Sequence, residues 1–430
     1  MMSFATKADR DAVENEMPWV ERDVPKTMYE FINSVAQRHG QRSGVSFQIT
    51  AGPKDNAETL SWQEFRDKSV QAANMFRRLG IGETDVVAYL LPICNEAALT
   101  LIGGSISGIA NPINPLLEPD QIAAILRETN AKVLVTLRGF PKTNLAQLAA
   151  DAVAQAPNVE TVLEVDLNRY LTPPKSWIVS LVRPKVVATH SAKIMDFNAE
   201  LDRQNRVIDF ADTAEDRVAA YFHTGGTTGM PKVAQHKYSG IVYNGWLGDR
   251  MLFTSEDTII CPLPLFHVFA CHVILMAMIS SGAHVVFPTP QGYRGEGVFD
   301  NFWKLIERWN VSFMITVPTA ISALMQRPVD ADISTLKTAF SGSSPLPVEL
   351  FKRFEKATGI EIVEGYGLTE VTCLVSCNPD QGLKKVGSVG IPLPHTNVKI
   401  LLDMANGPEE CAANEIGEIC VESPGVFAGN

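Results

Sequence analysis

The stretch VAAYFHTGGTTGMPK, residues 218–232, joins an apolar run to a loop of glycine and threonine. The run Val218 to Phe222 has the continuous hydrophobicity of a strand that is covered on both faces. Three glycines in the loop allow close backbone approach, and successive N–H groups of such a loop form an anion nest. Three threonine hydroxyls and the charge of Lys232 add further contacts. The stretch therefore predicts a strand followed by a loop that holds a triphosphate.

This loop has two alternative interpretations, a simple turn and a Walker A loop. A glycine-rich turn between a strand and a helix is the simpler one, but such a turn rarely ends in Pro-Lys. The loop also differs from the Walker A pattern G-x-x-x-x-G-K-[ST], because Val233 follows the lysine.

Helix and strand patterns alternate on either side of this stretch. Capping boxes at Thr27 and Ser61 open amphipathic helices that stop near Gly40 and Gly80. Strands are predicted at residues 86–91, 112–114, 131–136, 160–165, 284–288, 311–318, 337–342 and 361–367, and helices at 96–106, 120–128 and 145–154. This alternation is typical of an α/β fold with mainly parallel sheets.

Changes in the pattern predict three subdomains. Residues 40–215 form one α/β unit, residues 216–385 a second one with the nucleotide site, and residues 386–430 a partial β subdomain of short antiparallel strands. Residues 166–204 are irregular and predict an insertion or surface excursion.

Charge and cysteine content exclude several classes of function. Lys and Arg number 37 and Asp and Glu 48, which gives a net charge of −11 and makes nucleic acid an unexpected partner. The seven cysteines contain no C-x-x-C pair, and no apolar signal segment opens the chain. A reduced cytoplasmic protein is the simplest interpretation.

No charged residue lies between Asp257 and Arg294. The dense apolar part, Val268 to Ser280, is shorter than the roughly 20 residues that span a bilayer. A buried helix is therefore predicted, and no transmembrane segment.

A second motif, EGYGLTE, occupies residues 364–370 after a predicted strand. Tyr366 offers a flat face for a purine, and its flanking glycines permit close approach. Thr369 can donate to a phosphate, and Glu370 can bind Mg²⁺, which takes one or two carboxylates together with substrate phosphates. On its own, GYG is also compatible with an ordinary turn.

The two motifs, about 140 residues apart, resemble the large N-terminal domain of the adenylate-forming enzymes. This superfamily comprises acyl-CoA synthetases, amino-acid adenylation domains and luciferases, and the chain is most similar to fatty or aryl acyl-CoA synthetases. Further matching segments are PLPLFHVFA (262–270), TVPT (316–319), SGSSPLP (341–347) and VGSVGIPLP (386–394).

The resemblance implies two doubly wound, mainly parallel sheets packed together, with a small distorted β-barrel subdomain. It implies that a carboxylic acid attacks the α-phosphorus of ATP bound to Mg²⁺, and that CoA then takes the acyl group. The ATP contacts would be Thr224, Gly225, Gly226, Thr227, Thr228, Gly229, Lys232, Ser343, Ser344, Glu364, Gly365, Tyr366, Gly367 and Thr369. The catalytic residues would be His267, Lys232, Thr369 and Glu370, with Glu370 as the metal ligand. The acyl pocket would contain His267, Val317, Gly342 and Cys373.

Some positions depart from the family pattern or allow another interpretation. The usual loop is T-S-G-T-T-G-x-P-K-G, and here Gly225 replaces the serine and Val233 the last glycine. His267 matches the histidine beside the substrate carboxylate, although a lone histidine in an apolar segment is more often structural. Amino-acid-activating relatives carry an aspartate in this segment, so its absence disfavours a substrate with an amine. Cys373 and Cys377 are expected to be buried structural thiols.

The resemblance also implies that the family chain continues beyond VESPGVFAGN with a small C-terminal domain that carries a catalytic lysine. The chain is therefore expected to bind ATP but to be catalytically deficient alone. A non-catalytic nucleotide or acyl binder and a phosphoryl-transferring NTPase remain as alternatives, and a homodimer is left open.

Overall fold

Helices and strands alternate in the computed structural model, which describes residues 4–224, 232–402 and 407–429. The helices are α1 (Lys7–Glu16), α2 (Met28–His39), α3 (Trp62–Arg78), α4 (Asn95–Ser107), α5 (Pro119–Glu128), α6 (Leu145–Ala154), α7 (Lys175–Val182), α8 (Phe197–Asp202), α9 (Tyr238–Met251), α10 (Met276–Ser281), α11 (Val298–Trp309), α12 (Pro318–Leu324) and α13 (Val348–Thr358).

The strands are β1 (Ser43–Gln48), β2 (Ala57–Ser61), β3 (Val86–Leu90), β4 (Ile109–Pro112), β5 (Ala131–Leu137), β6 (Thr161–Val165), β7 (Lys193–Asp196), β8 (Val218–Thr224), β9 (Lys232–Lys237), β10 (Thr258–Ile260), β11 (His284–Pro288), β12 (Phe313–Thr316), β13 (Thr338–Ser341), β14 (Ile362–Gly367), β15 (Leu374–Cys377), β16 (Ile391–Pro392), β17 (Asn397–Leu402), β18 (Glu409–Glu410) and β19 (Glu418–Glu422). The strand predicted at residues 112–114 lies three residues earlier, at β4.

Two large sheets confirm the predicted α/β class. The first sheet has the order β7-β6-β5-β3-β4-β8-β9, and the second has the order β16-β15-β14-β13-β12-β10-β11-β1-β2. In the first sheet β3 pairs in parallel with β4 and β5, and only β9 at its edge runs antiparallel. The central strands of the second sheet are also parallel, with antiparallel pairs at both ends.

The strands do not divide between the sheets at the predicted boundary, residue 216. β1 lies early in the chain but pairs with β11 of the second sheet, with Val45 opposite Val285. β8 lies after the boundary but pairs with β4 of the first sheet, with Ala110 opposite Ala220. The alternation of apolar and polar residues shows where a strand lies but not which distant strand it pairs with.

The helix α4 lies between the sheets, because it packs against β3, β4 and β8 of the first sheet and β1 of the second. Every residue from Asn95 to Ser107 is buried. A helix enclosed on all sides needs no polar face, which explains its weak amphipathic pattern.

The dense apolar part of the uncharged stretch is confirmed as buried. It forms a π-helical turn, Phe269–Leu275, that continues directly into α10, and every residue of these two elements is buried. Among the described residues, no helix combines the length and apolar character that a bilayer crossing requires.

The last described part of the chain differs in detail from the implied barrel. There β17 pairs antiparallel with β18 and β19, which gives an open sheet with the order β18-β17-β19.

The Arg217 side chain ties the C-terminal end of α4 to the start of α9. Its guanidinium donates to the carbonyls of Ser105 (2.9 Å), Ile106 (3.0 Å) and Gly108 (2.7 Å), and to the Tyr238 hydroxyl. It therefore satisfies carbonyls that a helix end leaves unpaired, and its charge complements the helix dipole.

Replacement of Arg217 by Met should lower the free energy of unfolding by about 2 kcal/mol or more, because several charge-assisted hydrogen bonds are lost together. The matched control is Arg203→Met, since Arg203 is 68% exposed and its one ion pair within the described part of the chain is with Glu200 of the preceding turn. The control should change stability by no more than about 0.5 kcal/mol in urea unfolding. Equal effects of the two substitutions would contradict the proposed bracing of α4.

Candidate nucleotide and acyl site

A cleft of about 140 Å³ opens where the neighbouring parallel strands β13 and β14 end. Open α/β sheets commonly place ligands beyond the carboxyl ends of their strands. The residues that line the cleft are His267, Val268, Phe269, Phe340, Gly342, Ser343, Gly365, Tyr366, Gly367, Leu368, Thr369, Cys373 and Leu374. The cleft thus brings the predicted adenine side together with the predicted acyl side.

The two glycines around Tyr366 are required by close packing. A Cβ at Gly365 would lie 2.3 Å from the Phe340 ring, and a Cβ at Gly367 would lie 2.1 Å from the Cys373 carbonyl oxygen. No larger residue fits either position without displacing its neighbour. The GYG segment is therefore built into the cleft wall, which places Tyr366 at the opening.

Six predicted site residues that the structure describes do not line the cleft, namely Thr224, Lys232, Val317, Ser344, Glu364 and Glu370. Glu364 is 5% exposed, and its carboxylate accepts a hydrogen bond from the Leu346 backbone N–H at 3.0 Å. This contact fixes the segment that carries Ser343, so Glu364 shapes the wall of the cleft. Ser344 is exposed, and Val317 is half-buried outside the cleft.

His267 lies at the open side of the cleft, just before the π-helical turn. Its Nδ1 accepts a hydrogen bond from the backbone N–H of Phe269 at 3.3 Å. Desolvation lowers the pKa of His267 below the ordinary value, so the ring is neutral at pH 7. A neutral ring whose Nδ1 accepts carries its proton on Nε2. His267 therefore offers an Nε2–H donor rather than a positive charge.

The cysteines at the cleft are unsuited to nucleophilic attack. Cys373 and Cys377 are buried free thiols, and burial raises the pKa of each to about 12. Because the thiolate is the reactive form, both remain inert thiols at pH 7.

Glu370 lies in the short 3₁₀ turn Thr369–Val371 that follows the cleft wall. Its backbone carbonyl accepts from Phe427 at 3.0 Å, which fixes the turn. Within the described ranges, its half-buried carboxylate has no hydrogen bond or ion pair, and no group of three or more metal-ligating side chains occurs. The carboxylate is therefore available for a cation whose other ligands come from a substrate.

The predicted phosphate loop lies largely outside the described residues. Gly225, Gly226, Thr227, Thr228 and Gly229 are not described. Their flanking residues, Thr224 and Lys232, stand opposite each other as the last pair between β8 and β9. Lys232 is exposed, and it forms no ion pair with the residues that are described.

A buried histidine pair connects the elements of this site and was missed by the sequence reasoning. His236 of β9 and His272 of the π-helical turn are fully buried, and their facing ring nitrogens lie 3.0 Å apart. The other nitrogen of His236, Nε2, lies 2.8 Å from the Thr369 carbonyl oxygen. Because a carbonyl only accepts, His236 donates from Nε2, and its Nδ1 must accept from His272.

The tautomers of the histidine pair are consistent with its surroundings. His272 then bears its proton on Nε2, and its Nδ1 is a buried acceptor that has no hydrogen-bond partner among the described residues. Burial lowers the pKa of His236 to about 4, so the ring stays neutral at pH 7. The Phe222 ring covers both imidazoles, with centroids at 5.2 and 4.7 Å. The pair thus joins the π-helical turn, the strand β9 and the turn that carries Thr369.

Comparison with known proteins gives consistent matches. Residues 33–429 match the family described as AMP-binding enzyme. The chain is 33% identical over 421 residues to the marinolic acid–CoA ligase of Pseudoalteromonas sp. (strain SANK 73390), covering 95% of this chain and 61% of that protein. It is 27% identical to the long-chain-fatty-acid–CoA ligase of Bacillus subtilis (strain 168), covering 97% of this chain and 74% of that protein. The chain therefore spans less than two thirds of the first relative.

Solved structures show the same fold. The crystal structure of an anthranilate CoA ligase with anthranoyl-AMP superimposes with a TM-score of 0.77 at 21% identity, covering 96% of this chain and 71% of that one. The crystal structure of a long-chain-fatty-acid–CoA ligase from Archaeoglobus fulgidus superimposes with a TM-score of 0.77 at 21% identity. The match covers 95% of this chain and 77% of that one.

The His236→Phe substitution should weaken ATP binding several-fold and lower stability, because it keeps the aromatic packing but leaves the Thr369 carbonyl and the His272 donor unpaired. Each unpaired buried group costs about 1–3 kcal/mol. The control is His284→Phe, since His284 is similarly desolvated but bonds to Ser46 at 2.8 Å, away from the cleft. Calorimetry should show reduced ATP affinity for the His236 variant alone; equal affinities would contradict the positioning role.

His236 and His284 predict how the stability of the protein depends on pH. Burial lowers the pKa of each from 6.5 to about 4, so the unfolded chain binds more protons between these values. The contribution of these two rings to the free energy of unfolding is therefore fully present above pH 6.5 and falls as the pH drops toward 4. Urea midpoints measured from pH 7 to 5 should decline less steeply in either Phe variant than in the wild type. If neither substitution changed the slope of the urea midpoint against pH, the lowered pKa values of these histidines would be refuted.

Proposed function

Because the chain belongs to the AMP-binding enzyme family, we propose that it serves ATP-dependent activation of a carboxylic acid, fatty or aryl, to an acyl adenylate and then to acyl-CoA. Pyrophosphate leaves in the first step and AMP in the second. The relatives named above are acid–CoA ligases, which supports this class of reaction.

The observation that carries the proposal is the shared cleft. Tyr366 and Thr369, the proposed nucleotide contacts, line it together with His267, the proposed contact of the acid. An adenine stacked on Tyr366 and an acid beside His267 would therefore meet with the α-phosphate between them. A pure nucleotide binder has no need of the acid contact.

The first step requires charge stabilisation rather than a protein nucleophile. A carboxylate oxygen forms a bond to the α-phosphorus while the bond from that phosphorus to the bridging oxygen breaks and pyrophosphate departs. Lys232 and Thr227 are the proposed contacts of the leaving phosphates, and Thr369 that of the α-phosphate. Preorganised donors of this kind stabilise the developing charge. In the second step the CoA sulfur attacks the acyl carbon, AMP leaves with the bonding electrons, and the thiol proton passes to solvent.

The site residues fit one Mg²⁺ ion carried in with ATP. Glu370 supplies a single unpaired carboxylate, and Mg²⁺ usually combines one or two carboxylates with substrate phosphates and water. When bound, Mg²⁺ would neutralise phosphate charge. Glu370 would hold it, and the contact of its backbone with Phe427 keeps the carboxylate in place.

The neutral His267 supports a carboxylate substrate without an amine. Its Nε2–H can donate to a carboxylate oxygen and orient the acid toward the phosphate. No acidic residue lies between Asp257 and Arg294 to pair with a substrate ammonium. The apolar wall near His267 instead suits an alkyl or aryl group.

The test is to supply ATP, Mg²⁺ and a panel of fatty and aryl acids, and to identify the products. Appearance of AMP and pyrophosphate supports the proposal, whereas ADP and phosphate would favour a phosphoryl-transferring NTPase. Binding of both ATP and acid without turnover would favour a non-catalytic nucleotide or acyl binder. Failure to bind either ligand would overturn the proposal.

The Glu370→Gln substitution should raise the Mg²⁺ concentration needed for half-maximal ATP binding roughly tenfold, since one charge-assisted contact is lost. A Mg²⁺ titration at fixed ATP measures this. Glu349→Gln is the control, because Glu349 is 89% exposed on α13. Coincident titrations of wild type and the Glu370 variant would place the ion elsewhere.

The His267→Ala substitution should weaken binding of the carboxylic acid roughly tenfold or more while ATP affinity stays the same, because it removes one donor to a charged group. Titration of the acid with ATP present gives this affinity, and His267→Gln should restore part of it by supplying an N–H. A loss of stability without any change in acid affinity would instead show a purely structural histidine.

A further inference from the structure

The helix α7 turns its apolar side chains toward solvent. Trp177 is 66% exposed, Ile178 54%, Leu181 85% and Val182 58%. These positions are spaced by one and four residues and therefore lie on one side of the helix. We call this side the α7 face.

The opposite side of α7 is partly covered by the protein. Ser176 and Val179 there are half-buried, and the exposed Ser180 accepts a hydrogen bond from the Asn168 side-chain nitrogen at 3.2 Å. A surface helix ordinarily buries its apolar side. Most apolar side chains of α7 instead face outward, as in a helix that has an apolar environment outside the protein.

The α7 face is held in place by the segments on either side. Before the helix, Arg169 pairs with Glu58 at 2.6 Å and with the buried Glu96 at 3.0 Å. After it, Arg183 pairs with Asp166 at 2.7 Å. These ion pairs fasten the excursion at both ends.

The chain segment that carries the α7 face is basic, whereas the whole chain is acidic. Residues 167–195 contain five Lys and Arg and no Asp or Glu, in a protein of net charge −11. Arg169 and Arg183 are used in the ion pairs above. Lys175, Lys185 and Lys193 are exposed, and none of them forms an ion pair with another described residue.

Apolar side chains among unpaired lysines match a bilayer surface with anionic headgroups. Tryptophan and leucine insert at the boundary of the acyl chains, while lysines bind the headgroups. An identical face on a second copy would place like charges together, which disfavours a symmetric dimer through this surface. The eight residues of α7 are too short to span a bilayer.

We propose that the α7 face, with Lys175, Lys185 and Lys193, docks the protein peripherally on anionic lipid bilayers. This surface is separate from the cleft, so the proposal does not depend on the reaction assigned above. The overall negative charge would repel other orientations from the same membrane and leave this one favoured.

The experiment is sedimentation of the 430-residue chain with phosphatidylcholine vesicles and with vesicles of equal parts phosphatidylcholine and phosphatidylglycerol. Binding should require phosphatidylglycerol and weaken with salt. Replacing Lys175, Lys185 and Lys193 together by Glu should weaken binding by roughly 100-fold or more, because each lysine near an anionic surface contributes about fivefold. The double variant Trp177→Ser, Leu181→Ser should also lose binding.

Matched variants separate this surface from general charge and hydrophobicity. The triple change Lys7→Glu, Lys352→Glu, Lys356→Glu alters net charge equally at exposed sites, and Leu383→Ser with Ile416→Ser removes exposed apolar residues elsewhere. Both controls should bind like the wild type, and circular dichroism should show all variants folded. Three outcomes would each overturn the proposal: no vesicle binding by the wild type, binding lost equally in the controls, or an α7 face that mediates only self-association or capture of an acidic protein.

Discussion

The hydrogen-bonded path from His272 through His236 to the Thr369 carbonyl is the interaction on which the arrangement of the site depends. It joins the π-helical turn behind His267, the strand that follows the phosphate loop and the turn that carries Glu370. These three elements belong to different sheets or connections. Backbone hydrogen bonds of residues 427–429 link β9 to the Glu370 turn, since Ala428 donates to Gln235 and Phe427 donates to Glu370. The histidine path joins the π-helical turn to them as well, and it is specific because a buried donor or acceptor left unpaired is costly.

The interleaving of the two sheets makes such a link necessary. The early strand β1 completes the second sheet, while β8 and β9 complete the first. The phosphate loop therefore starts from one sheet, whereas Tyr366 and Thr369 follow β14 of the other. The enclosed helix α4 and the Arg217 contacts at its end keep the sheets in a fixed relation. The first sheet uses the consecutive strands β3 to β9, whereas the second joins β1 and β2 to β10–β16 across the whole of the first, so long-range contacts dominate the folding of the second sheet.

The sequence was sufficient for the parts of the site that follow local rules. The glycines around Tyr366, the buried apolar stretch and the position of His267 depend on residues close together in the chain, and the structure brings Tyr366 and His267 to one cleft. Strand partners could not be predicted, because β1 and β11 are local patterns that meet only through the whole fold. His236 shares the apolar face of β9 with Ala234, and that placement beside a phosphate loop was a signal available in the sequence. The role of Glu364 could not be inferred, because its partner Leu346 is set by the loop after β13.

The histidine pair also bears on how this protein can vary through evolution. Each ring satisfies the other only with one arrangement of protons, and the far nitrogen of His272 has no partner among the described residues. A side chain at position 236 that cannot accept a hydrogen bond would leave the His272 donor unpaired. A side chain at position 272 that cannot donate one would leave the Nδ1 acceptor of His236 unpaired. Neither residue is then free to drift alone. We therefore expect the two positions to change together, so that a lineage that loses one histidine also replaces the other.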